Sequence, residues 1–339
     1  MAGDRLFPRV RLHIVTGKGG TGKTTVAAGL ALALAAGGRR TLLLEVEGRQ
    51  GISQLFDTAP LPYEERRVAL APDGGEVRAL AVDPEAALLE YLEMFYNLRR
   101  AGSALSRLGA IDFATTIAPG VRDVLLTGKA IEAVRRTEAG HLAFNAVVMD
   151  APPTGRIAKF LNVNSEVAGI ARVGPIHSQA NSVMAVLRSP RTAVHLVTLL
   201  EEMPVQETLD SIEELRSNGL PVGAILANMD RPAVLTTAQL DASLAGRLDR
   251  AALTEAVRRA DVVTAHHTRT VDVVVDALLA EARDHAERVL IAEQERARLV
   301  SSGLPVVSLP HIATGIDLGA LYELAADLRS AGFGPESRP

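Results

Sequence analysis

The sequence predicts a doubly wound α/β fold built on a mostly parallel sheet. Short apolar runs rich in β-branched residues alternate with longer stretches of helical patterning along the chain, an order typical of parallel strands joined by crossover helices. Most of the runs are continuously apolar, which suits strands buried on both faces. With 339 residues, 47% of them hydrophobic, the chain is long enough to bury a large core.

Each predicted strand is a short apolar run bounded by polar residues, glycine or proline. In chain order the strands are 10–16, 41–46, 77–82, 146–150, 193–199, 222–228 and 305–309. Segment 84–138 contains no good strand, and segment 156–190 is a second helical stretch; we expect the two to pack together as an inserted helical subdomain at one edge of the sheet.

The remaining segments are expected to belong to the same domain, which spans residues 1–339. A charged helical segment, 235–300, is expected to cover the sheet. Residues 332–339 are expected to form a flexible tail. The N-terminus has no apolar signal region, and no run reaches about 18 apolar residues, so we expect a cytoplasmic protein.

Composition and charge exclude several classes of function. A net charge of −4 disfavours a general nucleic-acid-binding surface, because phosphate contacts need clustered Lys and Arg. The absence of cysteine excludes disulfides, iron–sulfur clusters, CxxC zinc sites and thiol nucleophiles.

The strongest chemical signal is a glycine-rich loop between the first strand and an apolar helix. The loop reads Gly17, Lys18, Gly19, Gly20, Thr21, Gly22, Lys23, Thr24 and Thr25. It matches G-x-x-x-x-G-K-[ST] in the strand–loop–helix context that this P-loop motif requires. Glycines let the backbone wrap closely around phosphate, and the backbone N–H groups at the helix N-terminus bind the anion.

The end of the loop predicts how a nucleotide and a metal are held. Lys23 is expected to reach the β- and γ-phosphates, and the Thr24 hydroxyl is expected to ligate Mg²⁺. Asp150 ends an apolar strand, where a carboxylate can hold Mg²⁺ through water. The predicted cofactors are therefore ATP and Mg²⁺.

Lys18 makes the loop resemble the deviant Walker-A signature of septum-site and partition ATPases, nitrogenase iron proteins and arsenite-pump ATPases. The resemblance implies that Lys18 crosses a two-fold interface and touches the partner's phosphates, in a homodimer or in a heterodimer with a paralogue. A cation delivered in this way stabilises the charge that phosphoryl transfer develops. The alternative is a solvated loop lysine.

Further segments, in the correct order, resemble the arsenite-pump ATPase and tail-anchored-protein targeting ATPase family, in particular a bacterial member with one P-loop and no cysteine. Residues 146–155 resemble its switch II, which implies that Asp150 holds the metal and that Gly155 turns its N–H toward the γ-phosphate. Asn228 resembles the residue that reads adenine, and Pro310 belongs to a segment that resembles the loop over the base. Segments around 118–123 and 197–208 also resemble family elements.

The chain departs from the family pattern in switch I. Glu47 stands where the family has the aspartate that orients the attacking water. Glutamate is one methylene longer, and a misplacement of ~1 Å can cost on the order of a hundredfold in rate. Slow hydrolysis is therefore one expectation, and a surface ion pair of Glu47 with Arg49 or Arg40 is another.

Two functions follow from these features. The first is an ATP hydrolase acting as a dimer whose nucleotide-driven opening and closing is coupled to a protein client or membrane partner, which would make the protein peripheral at the membrane. The second is a nucleotide-binding regulatory subunit with weak hydrolysis, paired with a paralogous ATPase. No nucleic-acid partner is expected. No arsenite site is expected either, because the family captures the metalloid with cysteine thiolates.

A hydrophobic client would bind the first helical segment. Its apolar residues are Tyr91, Met94, Phe95, Tyr96, Leu98, Leu105, Leu108, Ile111 and Phe113. Core packing is the more common explanation of such a stripe. His195 is interpreted as a buried imidazole with satisfied hydrogen bonds, and the pair His266-His267 as surface residues rather than metal ligands.

Overall fold

The computed structural model describes residues 5–96, 119–170, 175–260 and 268–335. Its strands are β1 (Leu12–Gly17), β2 (Arg40–Glu45), β3 (Arg66–Ala71), β4 (Gly75–Ala81), β5 (Thr137–Glu138), β6 (His141–Leu142), β7 (Ala146–Asp150), β8 (Thr192–Thr198), β9 (Val222–Asp230) and β10 (Val306–Pro310). Eight of them form one sheet in the order β10-β9-β8-β1-β7-β2-β4-β3. Neighbouring strands within this sheet are parallel, except β3 and β4, which form an antiparallel pair at one edge.

Helices flank this sheet. They are α1 (Lys23–Ala35), α2 (Gly51–Leu55), α3 (Pro84–Tyr96), α4 (Pro119–Arg135), α5 (Thr154–Ile170), α6 (Pro175–Leu187), α7 (Glu202–Ser217), α8 (Thr237–Leu244), α9 (Arg250–Arg259), α10 (Thr268–Val300) and α11 (Leu318–Ser330). All seven predicted strands are present, with ends displaced by no more than about two residues. The prediction of a doubly wound, mostly parallel fold is confirmed.

Two hydrophobic layers form the core, one on each face of the sheet. On one face, α1 and α11 pack against residues such as Val148 and Leu226. On the other face, α3 to α7 pack against residues such as Leu42 and Val147. The β1, β7 and β8 strands are entirely buried, which explains their continuously apolar sequences.

The predicted helical segments occupy a face of the sheet rather than an edge. Leu126 of α4, Ile157 of α5 and Leu187 of α6 belong to the same buried cluster as the strands. The four helices α3 to α6 also contact one another, and their division as a subdomain stays a prediction. The client-site residues 98–113 and the pair His266-His267 lie outside the described residues.

The expectation that residues 235–300 cover the sheet is wrong for most of this segment. Helices α8 and α9 pack on α10, with a small cluster of their own around Val257 and Val275. Only the end of α10, at Leu299, joins the sheet core. A helix of 33 residues is about 50 Å long, so one end can contact the sheet core while other parts of it pack on α8 and α9.

The edge strand β3 is absent from the predicted strands. It pairs with β4 through a tight turn at Pro72–Gly74, where Asp73 has a φ of 61°. The dipeptide Asp73-Gly74 is a hairpin signal in the sequence. The short pair β5 and β6 was also not predicted.

His195 is the buried imidazole that the sequence predicts. Its Nδ1 accepts a hydrogen bond from the backbone N–H of Ala224 at 3.1 Å, and its Nε2 lies 3.0 Å from Nδ1 of His13. The two rings are stacked and buried. Burial lowers the pKa of His13 to about 3 and that of His195 well below its usual value, so both imidazoles are neutral.

Candidate functional site

The glycine-rich loop joins the end of β1 to the start of α1, so its last N–H groups lie at a helix N-terminus. Close contacts require two of its glycines. A Cβ on Gly17 would lie 2.1 Å from the carbonyl oxygen of Val197, and one on Gly22 would lie 2.5 Å from Nδ2 of Asn228. Gly22 also has a φ of 82°, which favours glycine.

Lys23 begins α1 and is 9% exposed. Its Nζ donates to the carbonyl of Lys18 at 3.4 Å. Burial lowers the pKa of Lys23, and the nearby carboxylate of Asp150 partly offsets this effect. Gly19 and Gly20 are exposed, so the loop backbone is accessible to an anion beside the largely buried Lys23.

Thr24 and Asp150 are brought together as the sequence predicts. The Thr24 hydroxyl donates to Oδ2 of Asp150 at 2.7 Å. Burial raises the pKa of Asp150 to about 6, although the hydrogen bond from Thr24 and the charge of Lys23 lower it. The nearby positive charge is too small to cancel the effect of burial on Asp150. A buried carboxylate beside a hydroxyl is a donor set that suits Mg²⁺. These residues therefore fit the predicted metal.

Glu45 is a site residue that the sequence analysis does not single out. It ends β2 directly beside Asp150 in the register of the sheet and is 2% exposed. Its Oε2 accepts from the backbone N–H of Ile52 at 3.3 Å, whereas its buried Oε1 has no hydrogen-bond partner among the described residues. Its negative charge contributes to the raised pKa of Asp150. The sequence does carry a signal for Glu45, because it is an acidic residue at the end of an apolar strand.

Glu47 lies near the other charged groups and also makes the alternative surface contact. Its Oε2 lies 3.4 Å from a guanidinium nitrogen of Arg49. Its charge nevertheless acts on the pKa of both Lys23 and Asp150, which puts it within electrostatic range of the loop. Arg40 pairs instead with Glu76, at 2.7 Å.

Lys18 is held within its own chain. Its Nζ donates to Oε1 of Glu207 in α7 at 2.6 Å, and both side chains are 37% exposed. Lys18 is therefore paired within its own chain, and its side chain is still partly exposed. The crossing of a subunit interface by Lys18 stays a prediction.

The other predicted residues lie at the same carboxyl edge of the sheet. Nδ2 of Asn228 donates to the carbonyl of Thr21 at 2.8 Å, so this amide supports the loop itself. Gly155 is exposed in the first turn of α5. Pro310 ends the edge strand β10, three strands away from β1. The nucleotide contacts of these three residues stay predictions.

A buried strand, a glycine loop and a helix that bring Lys23, Thr24 and Asp150 together define a P-loop nucleoside-triphosphatase fold. The comparison with known families agrees. The model of the anion-transporting ATPase family matches residues 10–189, and this chain belongs to that family.

The relatives include the ATPase BagA of Mycobacterium tuberculosis, 52% identical over 324 residues, which cover 95% of this chain and 94% of the relative. The arsenical pump-driving ATPase of Acidiphilium multivorum is 28% identical over 224 residues, covering 60% of this chain and 37% of the relative. The ATPase GET3 of Kluyveromyces lactis is 26% identical over 253 residues, covering 64% and 71%. The family resemblance predicted from the motifs is confirmed.

Two absences within the described ranges bear on ligands and membranes. No group of three or more His, Cys, Asp or Glu side chains there is arranged to hold a metal ion. A cation at Thr24 and Asp150 would take its other ligands from phosphate oxygens and water. No helix in the same part of the chain has the length and apolar character needed to cross a membrane.

Proposed function

We propose that this chain is a Mg-ATP-dependent hydrolase that acts as a dimer, and that closing of the dimer around nucleotide is coupled to a protein client or membrane partner. The observation that carries the proposal is the convergence of Lys23, Thr24 and Asp150 at the phosphate loop. Family membership supports ATP hydrolysis.

Each side chain of the site has a role that follows from its position. Lys23 binds the β- and γ-phosphates, and the loop N–H groups bind the remaining oxygens. Thr24 and Asp150 hold Mg²⁺, which neutralises charge on the phosphates when it is bound. Glu47 orients the attacking water, and Lys18 of the opposing subunit contributes a second cation.

The contact between Lys18 and Glu207 supports a closing step. Lys18 can reach another subunit only if its bond to Glu207 opens. A half-exposed ion pair contributes about 1 kcal/mol or less, so contact with a phosphate can replace it. In this proposal, the arrangement in which Lys18 is bound to Glu207 belongs to the open dimer.

The test is phosphate release per chain, measured with Mg-ATP over a wide range of protein concentrations. We expect specific activity to rise with concentration as dimers form. Lys18→Ala should abolish this rise while leaving ATP binding intact. Lys159→Ala, which removes an exposed lysine in α5, is the matched control and should behave like the wild type.

A second function is favoured by the ion pair between Glu47 and Arg49. In that case the chain binds nucleotide, hydrolyses it weakly and regulates a paralogous ATPase. Near-zero phosphate release at every concentration, together with tight ATP binding, would support this regulatory role and overturn the self-sufficient dimer. Addition of the paralogue should then restore turnover.

A further inference from the structure

A second buried carboxylate, that of Glu45, lies beside Asp150 at the carboxyl edge of the sheet. The two residues are register partners on the neighbouring strands β2 and β7, and their exposed fractions are 2% and 9%. Because side chains alternate between the two faces of a strand, Glu45 shares a face with Leu43, and Asp150 shares a face with Val148. Leu43 and Val148 belong to the hydrophobic layer that α1 covers. Both carboxylates therefore project toward α1, the helix that follows the phosphate loop.

One oxygen of Glu45 is held by the start of α2. Its Oε2 accepts from the backbone N–H of Ile52 at 3.3 Å. The start of α2 also lies against the metal-binding threonine, because a Cβ on Gly51 would lie 3.3 Å from Cγ2 of Thr24. The contact with α2 thus restrains the carboxylate of Glu45 close to Thr24 and Asp150.

The other oxygen of Glu45, Oε1, is buried and has no hydrogen-bond partner among the described residues. Buried acceptors are nearly always paired, and an unpaired charged group costs more free energy than a neutral one. The neighbouring groups cannot supply the donor. An ionised Asp150 offers only acceptors, and the Thr24 hydroxyl donates its one proton to Asp150. A donor for Oε1 therefore has to arrive with water or with a ligand.

The balance of buried charge indicates the kind of ligand. Two buried carboxylates, Glu45 and Asp150, lie near one largely buried ammonium group, that of Lys23. Buried charges are stable when they are paired or when they bind a metal. The excess of negative charge on this side of the site therefore favours a cation.

A cation with a hydration shell satisfies both requirements. Mg²⁺ dehydrates reluctantly and keeps several water molecules in protein sites, and these waters carry O–H donors. We propose that Glu45 is a positioning residue for the divalent cation, with Oε1 accepting a hydrogen bond from the hydration shell of the cation while Oε2 stays on Ile52. The inference rests on the proposed Mg-ATP site at Thr24 and Asp150, and it adds a residue that lies outside the sequence motifs of that site.

The experiment measures binding of Mn²⁺, a paramagnetic substitute for Mg²⁺, by quantifying free Mn²⁺ with electron paramagnetic resonance. The full chain is present in excess over a non-hydrolysable ATP analogue, so that the nucleotide is bound. Glu45→Gln is isosteric: its amide oxygen can keep the bond to Ile52, whereas its N–H₂ group replaces the acceptor Oε1. We expect Glu45→Gln to raise the Kd for Mn²⁺ about tenfold or more, the usual effect of losing an outer partner of a metal site.

A second measurement separates metal binding from damage to the phosphate loop. A fluorescent ATP analogue is titrated into the chain in excess EDTA, where no divalent cation is available. Glu45→Gln should bind this nucleotide at least as tightly as the wild type, because Glu45 acts only through the cation. Equal weakening of nucleotide binding with and without metal would overturn the proposal, since Glu45 would then act on the shape of the loop.

Two further variants complete the test. Glu213→Gln removes the same charge from an exposed position in α7 and should leave the Kd for Mn²⁺ unchanged; an equal rise there would overturn the proposal as an effect of net charge. Thr24→Ala should weaken Mn²⁺ binding, because Thr24 belongs to the underlying site. Wild-type affinity in Glu45→Gln, with weakened binding in Thr24→Ala, would overturn the role of Glu45 alone. Wild-type affinity in both would overturn the proposed metal site as well.

Discussion

Glu47 is the residue whose length bears most directly on the rate of the proposed hydrolysis. It contacts Arg49 and acts electrostatically on the loop. If it orients the attacking water, the shorter Glu47→Asp should place that water better and raise kcat by on the order of tenfold, because reactions are sensitive to sub-ångström placement. Steady-state phosphate release with saturating Mg-ATP measures this effect.

The isosteric Glu47→Gln is the control for charge. It should lower kcat without a comparable change in KM, since the lost interaction is made during the chemical step. Should Glu47→Asp turn over more slowly than the wild type, the longer side chain is already matched to its water. Glu47 would then not be the cause of any slow hydrolysis.

The buried histidine pair predicts a loss of stability in acid. His13 and His195 are neutral in the folded chain because burial lowers the pKa of each, whereas an unfolded histidine titrates near about 6.5. Their contribution to stability is therefore complete above pH 6.5 and is lost as pH falls toward the folded pKa of His13, about 3. For His13 this amounts to about 2 kcal/mol between pH 7 and pH 5, and His195 adds to the loss in the same direction.

Urea unfolding in phosphate-free buffer at a series of pH values measures this contribution. The double variant His13→Gln/His195→Gln should show a flatter pH dependence in that range, even if it is less stable at pH 7. The same steepness in wild type and double variant would assign the acid sensitivity to other groups.

At the scale of elements, the packing of β9 against β8 depends on one glycine. A Cβ on Gly223 would lie 2.5 Å from Nδ1 of the buried His195. Gly223→Ala should therefore displace the ring, weaken the bond from Ala224 and lower the free energy of unfolding by about 1–3 kcal/mol. Gly128→Ala in α4 is the control, because a Cβ there meets nothing within 4 Å and alanine favours a helix by up to about 1 kcal/mol.

Urea unfolding distinguishes the two variants by the direction of the change. Gly223→Ala should shift the midpoint to lower urea, and Gly128→Ala should leave it unchanged or raise it. If Gly223→Ala has wild-type stability, the His195 ring can move, and the hydrogen bond between the two histidines is weaker than its distance suggests.

Elements are also where prediction from the sequence succeeds or fails. The central strands β1, β7 and β8 were predictable because burial on both faces makes them continuously apolar. The edge strand β3 alternates and is partly exposed, so its apolar pattern is weak. The course of α10 depends on which partner its apolar side meets, and helical periodicity carries no information about that partner.

The residues of the candidate site also differ in whether the sequence can predict their positions. Lys23, Thr24 and Asp150 were predictable because a local motif and a strand end fix their positions. The bond between Lys18 and Glu207 joins residues 189 positions apart, and the position of Glu45 beside Asp150 depends on the pairing of β2 with β7. Such long-range contacts follow from the packing of the sheet and not from local sequence.

At the scale of the whole molecule, the cis contact of Lys18 connects the loop to the predicted dimer. Lys18 cannot bind Glu207 and a partner's phosphate with the same ammonium group in the same geometry. The contact with Glu207 therefore competes with dimer closure. An ion pair as exposed as this one stabilises the open arrangement by about 1 kcal/mol or less. Removal of the competing carboxylate should favour the closed dimer.

Glu207→Gln should accordingly lower the protein concentration at which specific ATPase activity is half-maximal, by up to about fivefold. Glu202→Gln, an exposed glutamate in the same helix, is the matched control and should leave this concentration unchanged. The double variant Lys18→Ala/Glu207→Gln should behave like Lys18→Ala alone, because Glu207 acts only through Lys18. If Glu207→Gln instead abolishes activity as Lys18→Ala does, Glu207 positions Lys18 for catalysis, and the cis pair is part of the active site rather than a contact that closure must break.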